Sequence, residues 1–364
     1  MRISARLLGA ALALGALVVG CGGAARQWNA NEPAPDPYQE LLDGERALLR
    51  EGVLALESGR LEDARERFEL LLERRPGDLP ASVWLQETEV ASYERGFARS
   101  SVEVDDEGLA LLRERYRVAA DEAPTPLAWF LAARLDEDRH AAQLLLERAL
   151  ELDPGMSWAN YGLAHVAARE GDWAGARAQL ERVFELDPGH LPALRLHGWL
   201  QAKAGNLDEA IVAFEAWLEH STDDLLATRR VDERVRFDLA LCHIADGKPK
   251  RALELLDSLE GSSVPRSLRL SARAVALQDE GEVLAARAAA QAARRADRDA
   301  VLPAVQDALL LELWLADFDG AQEAWRDVVE RSSRDDDLAS GLQRFRAEVH
   351  LQRMQRALDE GTRP

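Results

Sequence analysis

The sequence predicts an all-α fold in which pairs of helices recur along the chain. Three observations lead to this prediction. Ala, Leu, Glu and Arg, which favour helices, dominate the 364 residues. Stretches rich in Val, Ile, Thr or Tyr, which favour strands, are few. Small residues and prolines recur at a fixed interval, which is typical of an array of structural repeats.

The interval is clearest in the middle of the chain. Ala142, Ala176 and Ala210 lie 34 residues apart, and Pro154 and Pro188 are separated by the same distance. The series continues towards both ends with Ala64, Ala252, Ala286 and Ala321. A single helical pair cannot bury its own apolar faces, whereas stacked neighbours can. The pattern therefore predicts an α-solenoid.

This spacing resembles the tetratricopeptide repeat over residues 45–335. A unit of that family is a helical hairpin with small residues where the helices cross, a glycine in the turn, and a proline after the second helix. Glycine permits a turn with positive φ, and proline ends a helix because it lacks an N–H. The matching glycines are Gly59, Gly171, Gly205, Gly247 and Gly281, and the large apolar markers are Phe68, Leu146, Leu180, Phe214, Leu256 and Trp325.

The resemblance implies a right-handed superhelix of eight hairpins with a C-terminal capping helix. The expected units are 45–78, 79–122, 123–156, 157–190, 191–224, 233–266, 267–301 and 302–335. The second unit is too long, and the register places its excess in an inter-helix loop near Glu94–Val104. Extra residues also precede the sixth unit. The second and seventh units match weakly, so their status as repeats stays open.

The first residues predict a secreted protein. Arg2 and Arg6 precede an apolar run from Leu7 to Val19. This run is shorter than the roughly 20 residues of a membrane span and fits a signal peptide. The following Gly20 and Cys21 complete a sequence that resembles the lipobox of bacterial lipoproteins.

That resemblance implies cleavage before Cys21 and attachment of a diacylglyceryl group to its sulfur, with palmitate among the acyl chains. Gly22 follows the cysteine, and by the same resemblance it favours the periplasmic side of the outer membrane. The alternative is an ordinary secretory signal in which Cys21 is incidental. The expected organisation is a signal peptide at 1–20, a lipidated, proline-rich tether at 21–40, the solenoid at 41–335, and a capping helix and tail at 336–364.

Charge and motifs exclude several functions. The net charge of −20 argues against nucleic acid as a partner, because nucleic-acid binding requires basic surfaces. No phosphate-binding glycine loop, serine-hydrolase elbow, zinc-helix motif or paired-cysteine motif occurs. His190 and His197 lack the further ligands of a metal site. Asp335-Asp336-Asp337 lacks the ligand spacing of a calcium loop. We therefore expect no catalysis, cofactor, metal or small-molecule substrate.

Cys242 is the only cysteine besides Cys21. It lies on an apolar helical face and is expected to be a buried small side chain. The alternative is a nucleophile with His243 as its base. Adjacent helix residues point about 100° apart, so the two side chains are poorly placed to pair.

Aromatic and basic residues coincide in the middle of the array. In the tetratricopeptide family the first helix of each unit lines the concave groove, and the matching positions here predict a partner-binding groove. Its residues are Arg134, Trp158, Tyr161, His165, Arg169, Arg195, Trp199 and Lys203, with Leu127 and Leu131 beside them. The alternative is that the tryptophans only pack between helices. The carboxylate clamp of some family members is absent, because Tyr161, His165 and Leu196 occupy its positions.

The predicted function is a membrane-anchored, non-catalytic scaffold that binds envelope proteins or peptides in this groove. Accessory roles in outer-membrane protein assembly or in type IV pilus secretin assembly are one alternative, suggested by the combination of lipobox and repeats. An adaptor for peptidoglycan-processing enzymes is another. A cryptic enzyme or ligand-binding protein would require a deep polar pocket.

Overall fold

A computed structural model of the chain describes residues 41–99, 106–221, 229–333 and 338–359. The predicted signal peptide, Cys21 and the tether lie outside these residues, as do Asp335–Asp337. Every regular element in the described ranges is an α-helix. In chain order the helices are α1 (Asp43–Glu57), α2 (Leu61–Arg74), α3 (Leu79–Arg99), α4 (Asp106–Glu122), α5 (Pro126–Leu135), α6 (Arg139–Leu152), α7 (Ser157–Glu170), α8 (Trp173–Leu186), α9 (Leu191–Ala204), α10 (Leu207–Ser221), α11 (Arg229–Ala245), α12 (Pro249–Ser258), α13 (Arg266–Asp279), α14 (Val283–Ala296), α15 (Leu302–Leu313), α16 (Phe318–Ser332) and α17 (Leu338–Asp359).

These helices form two compact units. Of the described residues, the N-terminal unit holds 41–200, 215–221 and 229, and the C-terminal unit holds 201–214 and 230–359. Within each unit, consecutive helices joined by short turns pack against each other. A short connection between two packed helices makes them antiparallel. The predicted arrangement of successive helical hairpins is therefore present.

Small residues allow the paired helices to approach closely in the N-terminal unit. In the first hairpin, a Cβ added to Gly52 of α1 would lie 2.4 Å from the ring of Phe68 on α2. Phe68 is fully buried among Leu49, Leu71 and Trp84. A Cβ added to Gly162 of α7 would likewise lie too close to the Leu146 side chain of α6, at 2.7 Å. At both positions the absence of a side chain leaves room for a large neighbour.

Turns between the helices follow the predicted glycine positions. All five predicted glycines, from Gly59 to Gly281, have positive φ angles between 72° and 85°. Gly171 ends α7 in the left-handed conformation, and the next residue, Asp172, caps α8 by accepting a hydrogen bond from the Gly175 N–H at 2.9 Å. Asp317 caps α16 through Gly320 in the same way.

The C-terminal unit ends in the additional helix α17, which packs on α16. Ala347 and Met354 of α17 are buried against a cluster that includes the fully buried Trp325 of α16. Glu312 of α15 accepts a hydrogen bond from the Trp325 indole at 2.8 Å and lies 2.8 Å from Nδ1 of His350 on α17. A single buried carboxylate therefore connects three helices.

The structure corrects two boundaries. The predicted loop at Glu94–Val104 is wrong over its first part, because α3 continues as a helix to Arg99. The predicted start of the sixth unit at residue 233 is also too late, since α11 begins at Arg229. In both places the extra residues lengthen a helix. The weak second and seventh units are helix pairs, α3 with α4 and α13 with α14.

Candidate protein-interaction surface

The predicted groove residues lie on the first helices of three successive hairpins, α5, α7 and α9. Within the N-terminal unit, α5 packs on α7, and α7 shares a buried cluster with α9. Four predicted residues of α7 recur at intervals of three or four, which places them on one side of the helix. Together with two residues of α9 they form the surface that we call the aromatic–cationic face: Trp158, Tyr161, His165, Arg169, Arg195 and Trp199.

Ring contacts order the aromatic part of this face. Trp158 packs edge-on against both Phe130 and Tyr161, with ring centroids 5.9 Å and 6.1 Å away. The imidazole of His190, which precedes α9, lies 4.5 Å from Trp158 and 5.2 Å from Tyr161. Such aromatic pairs favour fixed relative orientations. These four rings therefore pack as one ordered cluster within the N-terminal unit.

His190 is a member of this cluster that the sequence did not predict. Its side chain is only 3% exposed, and its Nδ1 accepts a hydrogen bond from the Ala193 N–H at 3.3 Å. Burial lowers the pKa of His190 to about 3, so the ring is neutral at physiological pH. Within the described part of the chain, its Nε2 has no hydrogen-bond partner. The only sequence signal for the capping contact of His190 is its position one residue before α9, where side chains often accept hydrogen bonds from the first turn of a helix.

The basic part of the face lies beside these rings. Burial raises the pKa of Tyr161, although the nearby charges of Arg195 and Arg134 partly oppose this. Burial also lowers the pKa of His165, and the nearby charges of Arg169 and Arg195 lower it further. In the described ranges, neither Arg169 nor Arg195 forms an ion pair with a carboxylate. The two guanidinium groups therefore retain their capacity to bind an anion.

Trp199 is the most exposed of the tryptophan and tyrosine rings in the face. Its side chain is 36% exposed, and its centroid lies 5.7 Å from that of Trp173 at the start of α8. Trp158 and Tyr161 are half-buried by comparison. Trp158 and Tyr161 therefore pack largely between helices, whereas part of the Trp199 ring remains accessible at the surface. Whether this surface binds a partner stays a prediction.

Other predicted groove residues are placed differently. The guanidinium of Arg134 on α5 hydrogen-bonds to Gln86 at 2.6 Å and pairs with Glu87, both on α3. Leu131 is buried in the core around α5 and α6. Lys203, at the end of α9, belongs to the C-terminal unit. These three residues are therefore not counted in the aromatic–cationic face.

Chemical groups outside this face give little indication of catalysis. Cys242 is buried, and burial together with the charges of Asp238 and Asp246 raises the pKa of its thiol to about 12. His197 packs edge-on against Phe184, and burial lowers its pKa to about 4. Across the described ranges, no group of three or more metal-ligating side chains comes together. No described helix has both the length and the hydrophobicity needed to cross a membrane.

Comparison with known proteins agrees with this architecture. A family model described as tetratricopeptide repeat matches residues 133–200 and 167–229. Among solved structures, a chain of the APC/C hetero-tetramer Cut9–Hcn1 is similar, with 15% identity and a TM-score of 0.57 over 86% of this chain. This chain spans 58% of the length of that one. PilF of Pseudomonas aeruginosa has 18% identity and a TM-score of 0.47, over 65% of this chain and 99% of its own. No curated protein sequence matches significantly.

These comparisons define the class. Residues 133–229 contain tetratricopeptide repeats, and the likeness to Cut9–Hcn1 confirms the predicted all-α repeat fold. The aromatic–cationic face lies within the range that the family model covers. Protein–protein interaction is the function that this fold supports.

Proposed function

We propose that this chain is a lipid-anchored, non-catalytic scaffold that binds other proteins of a bacterial envelope through the aromatic–cationic face. Tetratricopeptide repeats in residues 133–229 support a role in protein–protein interaction. The amino-terminal sequence, which ends its apolar run at Gly20 and Cys21, supports lipid anchoring. Multiple acyl chains would hold the protein stably at a membrane.

The observation that carries the interaction surface is the coincidence of exposed Trp199 with Arg169 and Arg195 on neighbouring helices. Aromatic and arginine side chains supply most of the binding energy in protein interfaces. Here Trp199, Arg169 and Arg195 lie on helices beside the packed rings of Trp158, Tyr161 and His190. Little conformational entropy is lost when such a preorganised surface binds.

Crosslinking tests this surface. The variant that combines Trp199→Ala and Arg195→Ala should lose its main crosslinked partner when intact cells are treated and the protein is purified from membranes. Arg182→Ala provides a matched control, because Arg182 is exposed on α8, the second helix of the hairpin that α7 begins, and lies outside the face. Far-ultraviolet circular dichroism should show unchanged helicity in all variants. An unchanged set of partners in the double variant would contradict the proposal.

Membrane attachment is tested separately. Cys21→Ser should move the protein from the membrane fraction to the soluble periplasmic fraction, because the acyl chains can no longer be attached. Density-gradient separation of the wild-type membranes should place the protein with the outer membrane. Retention of Cys21→Ser in the membrane fraction would contradict lipid anchoring. The partner identified by crosslinking then distinguishes assembly of outer-membrane proteins or pilus secretins from the organisation of peptidoglycan-processing enzymes.

A further inference from the structure

We propose that the aromatic–cationic face binds an acidic segment of the partner protein, with its carboxylates on Arg169 and Arg195 and its apolar atoms against Trp199. The proposal rests on the proposed function, since it assigns a chemical class to the partner of that same surface. It is carried by the distribution of charge among the helices and by the guanidinium groups of Arg169 and Arg195, which are in no ion pair within the described residues.

The helices of this face contrast with the rest of the chain in their charge. The chain contains 65 Asp and Glu residues and has a net charge of −20. By contrast, the stretches of α5, α7 and α9 that belong to the N-terminal unit contain a single acidic residue, Glu170, at the end of α7. Arg134 on α5 is paired with Glu87, but Arg169 and Arg195 of the face are in no ion pair within the described residues. The face therefore carries positive charge on a strongly acidic protein.

Screening determines which of these charges an approaching segment experiences. At physiological ionic strength the Debye length is about 8 Å, so exposed charges farther away contribute little. Arg169 and Arg195 are both close enough to His165 to affect its titration. A partner segment at the face therefore meets these two positive charges, while the negative charges of distant helices are largely screened.

Arginine also fits this ligand geometrically. Its planar guanidinium can bind a carboxylate through two parallel hydrogen bonds. Arg195 lies close enough to Tyr161 for its charge to oppose the raised pKa of that residue, so one guanidinium is near the ring cluster. The exposed Trp199 ring, one turn further along α9, can cover an apolar side chain or the methylene groups of a glutamate. A basic segment would be repelled by the same arginines.

Fluorescence anisotropy of labelled peptides tests the chemical class. The full-length protein, purified from membranes in detergent, is titrated with octa-glutamate, octa-lysine and octa-serine peptides at about 0.15 M salt. Octa-glutamate should bind, and the other two should not. Because charge-assisted hydrogen bonds are stronger than neutral ones, Arg169→Glu and Arg195→Glu should each weaken binding by about tenfold. Arg182→Glu, which makes the same change of charge outside the face, should have less than about a twofold effect.

A second set of variants keeps the test independent of folding. Arg195→Lys preserves the charge and removes the forked geometry, so it should weaken octa-glutamate binding less than Arg195→Glu does. Glycerol phosphate, the head group of an anionic lipid, should not displace the peptide at an equal concentration, because one small anion cannot engage both arginines and Trp199 together. Displacement by glycerol phosphate, tight binding of octa-lysine, or equal binding by wild type and Arg169→Glu would each overturn the proposal.

The crosslinking and peptide experiments distinguish failure of the scaffold function from failure of the acidic-segment proposal. If octa-glutamate does not bind but the crosslinked partner is still lost in the Trp199→Ala, Arg195→Ala variant, the scaffold function stands and the acidic chemistry is wrong. If the partner set is unchanged in that variant, the face is not the interaction surface, and the acidic segment is excluded with it.

Discussion

Replacement of Glu312 by alanine should loosen the final helix from the last hairpin. The Glu312 carboxylate lies 2.8 Å from both the Trp325 indole nitrogen and the His350 imidazole. The two rings also stack on each other, with centroids 4.4 Å apart and planes within 16°. Glu312 is on α15, Trp325 on α16 and His350 on α17. Removal of one carboxylate therefore breaks the polar connection among all three helices.

The size of the effect follows from burial. Trp325 has no exposed surface, so its N–H cannot bond to water once the carboxylate is absent. An orphaned buried donor costs about 1–3 kcal/mol, and the lost charge-assisted contact with His350 costs about 1.5 kcal/mol more. We therefore expect a local loss of roughly 3 kcal/mol, which corresponds to a change of roughly 150-fold in the opening equilibrium of α17. Glu312→Gln retains an acceptor oxygen and should lose only about 1 kcal/mol.

Hydrogen exchange read by mass spectrometry measures this local change. Global unfolding is a poor assay, because a repeat array can open from one end without unfolding elsewhere. Peptides from α17 should exchange roughly 150-fold faster in Glu312→Ala, while peptides from α7 should not change. Glu323→Ala is a suitable control, since Glu323 is exposed on α16. Unchanged protection of α17 in Glu312→Ala would refute the reasoning.

Two further predictions concern pH and packing. Burial raises the pKa of Glu312, but the hydrogen bonds from His350 and Trp325 and the nearby positive charges outweigh it and hold the pKa below its ordinary value of 4.5. The stabilisation is therefore complete above pH 4.5 and is lost as the pH falls below it. Near-ultraviolet circular dichroism should report the loss of fixed Trp325 packing in this acid range. The change with pH should be smaller in Glu312→Gln, because the glutamine amide does not titrate. In the first hairpin, Gly52→Leu should destabilise α1 by about 1–3 kcal/mol through overlap with the Phe68 ring. Its hydrogen exchange should rise accordingly, whereas Gly44→Ala, whose added Cβ meets no atom within 4 Å, should leave α1 protected.

Much of the fold could be predicted because a few residue types have one physical use in a helical hairpin. A positive φ is strained for residues with a Cβ, so a glycine between two helical stretches identifies the turn, as at Gly171 and Gly281. The longer α3 could not be predicted in this way. Residues 94–99 contain no strong helix breaker apart from Gly96, and the repeat length alone suggested a loop where the helix in fact continues.

The interaction surface was predictable only where it depends on helical spacing. The intervals on α7 placed Trp158, Tyr161, His165 and Arg169 on one side without knowledge of any contact. Arg134 satisfied the same rule, yet its guanidinium is bound by Gln86 and Glu87 of another hairpin. Spacing within a helix indicates direction, whereas the partner of a long side chain depends on residues far away in sequence.

The capping aspartates of α8 and α16 make two positions in the sequence interdependent. A Cβ added at Gly175 would lie 2.1 Å from the Asp172 carboxylate, and one at Gly320 would lie 2.6 Å from that of Asp317. A side chain at either glycine would require the carboxylate to shift, and that carboxylate accepts its hydrogen bond from the same residue's N–H. An aspartate followed three residues later by glycine should thus be inherited as a pair, and substitution of both should cost less than the two single changes combined.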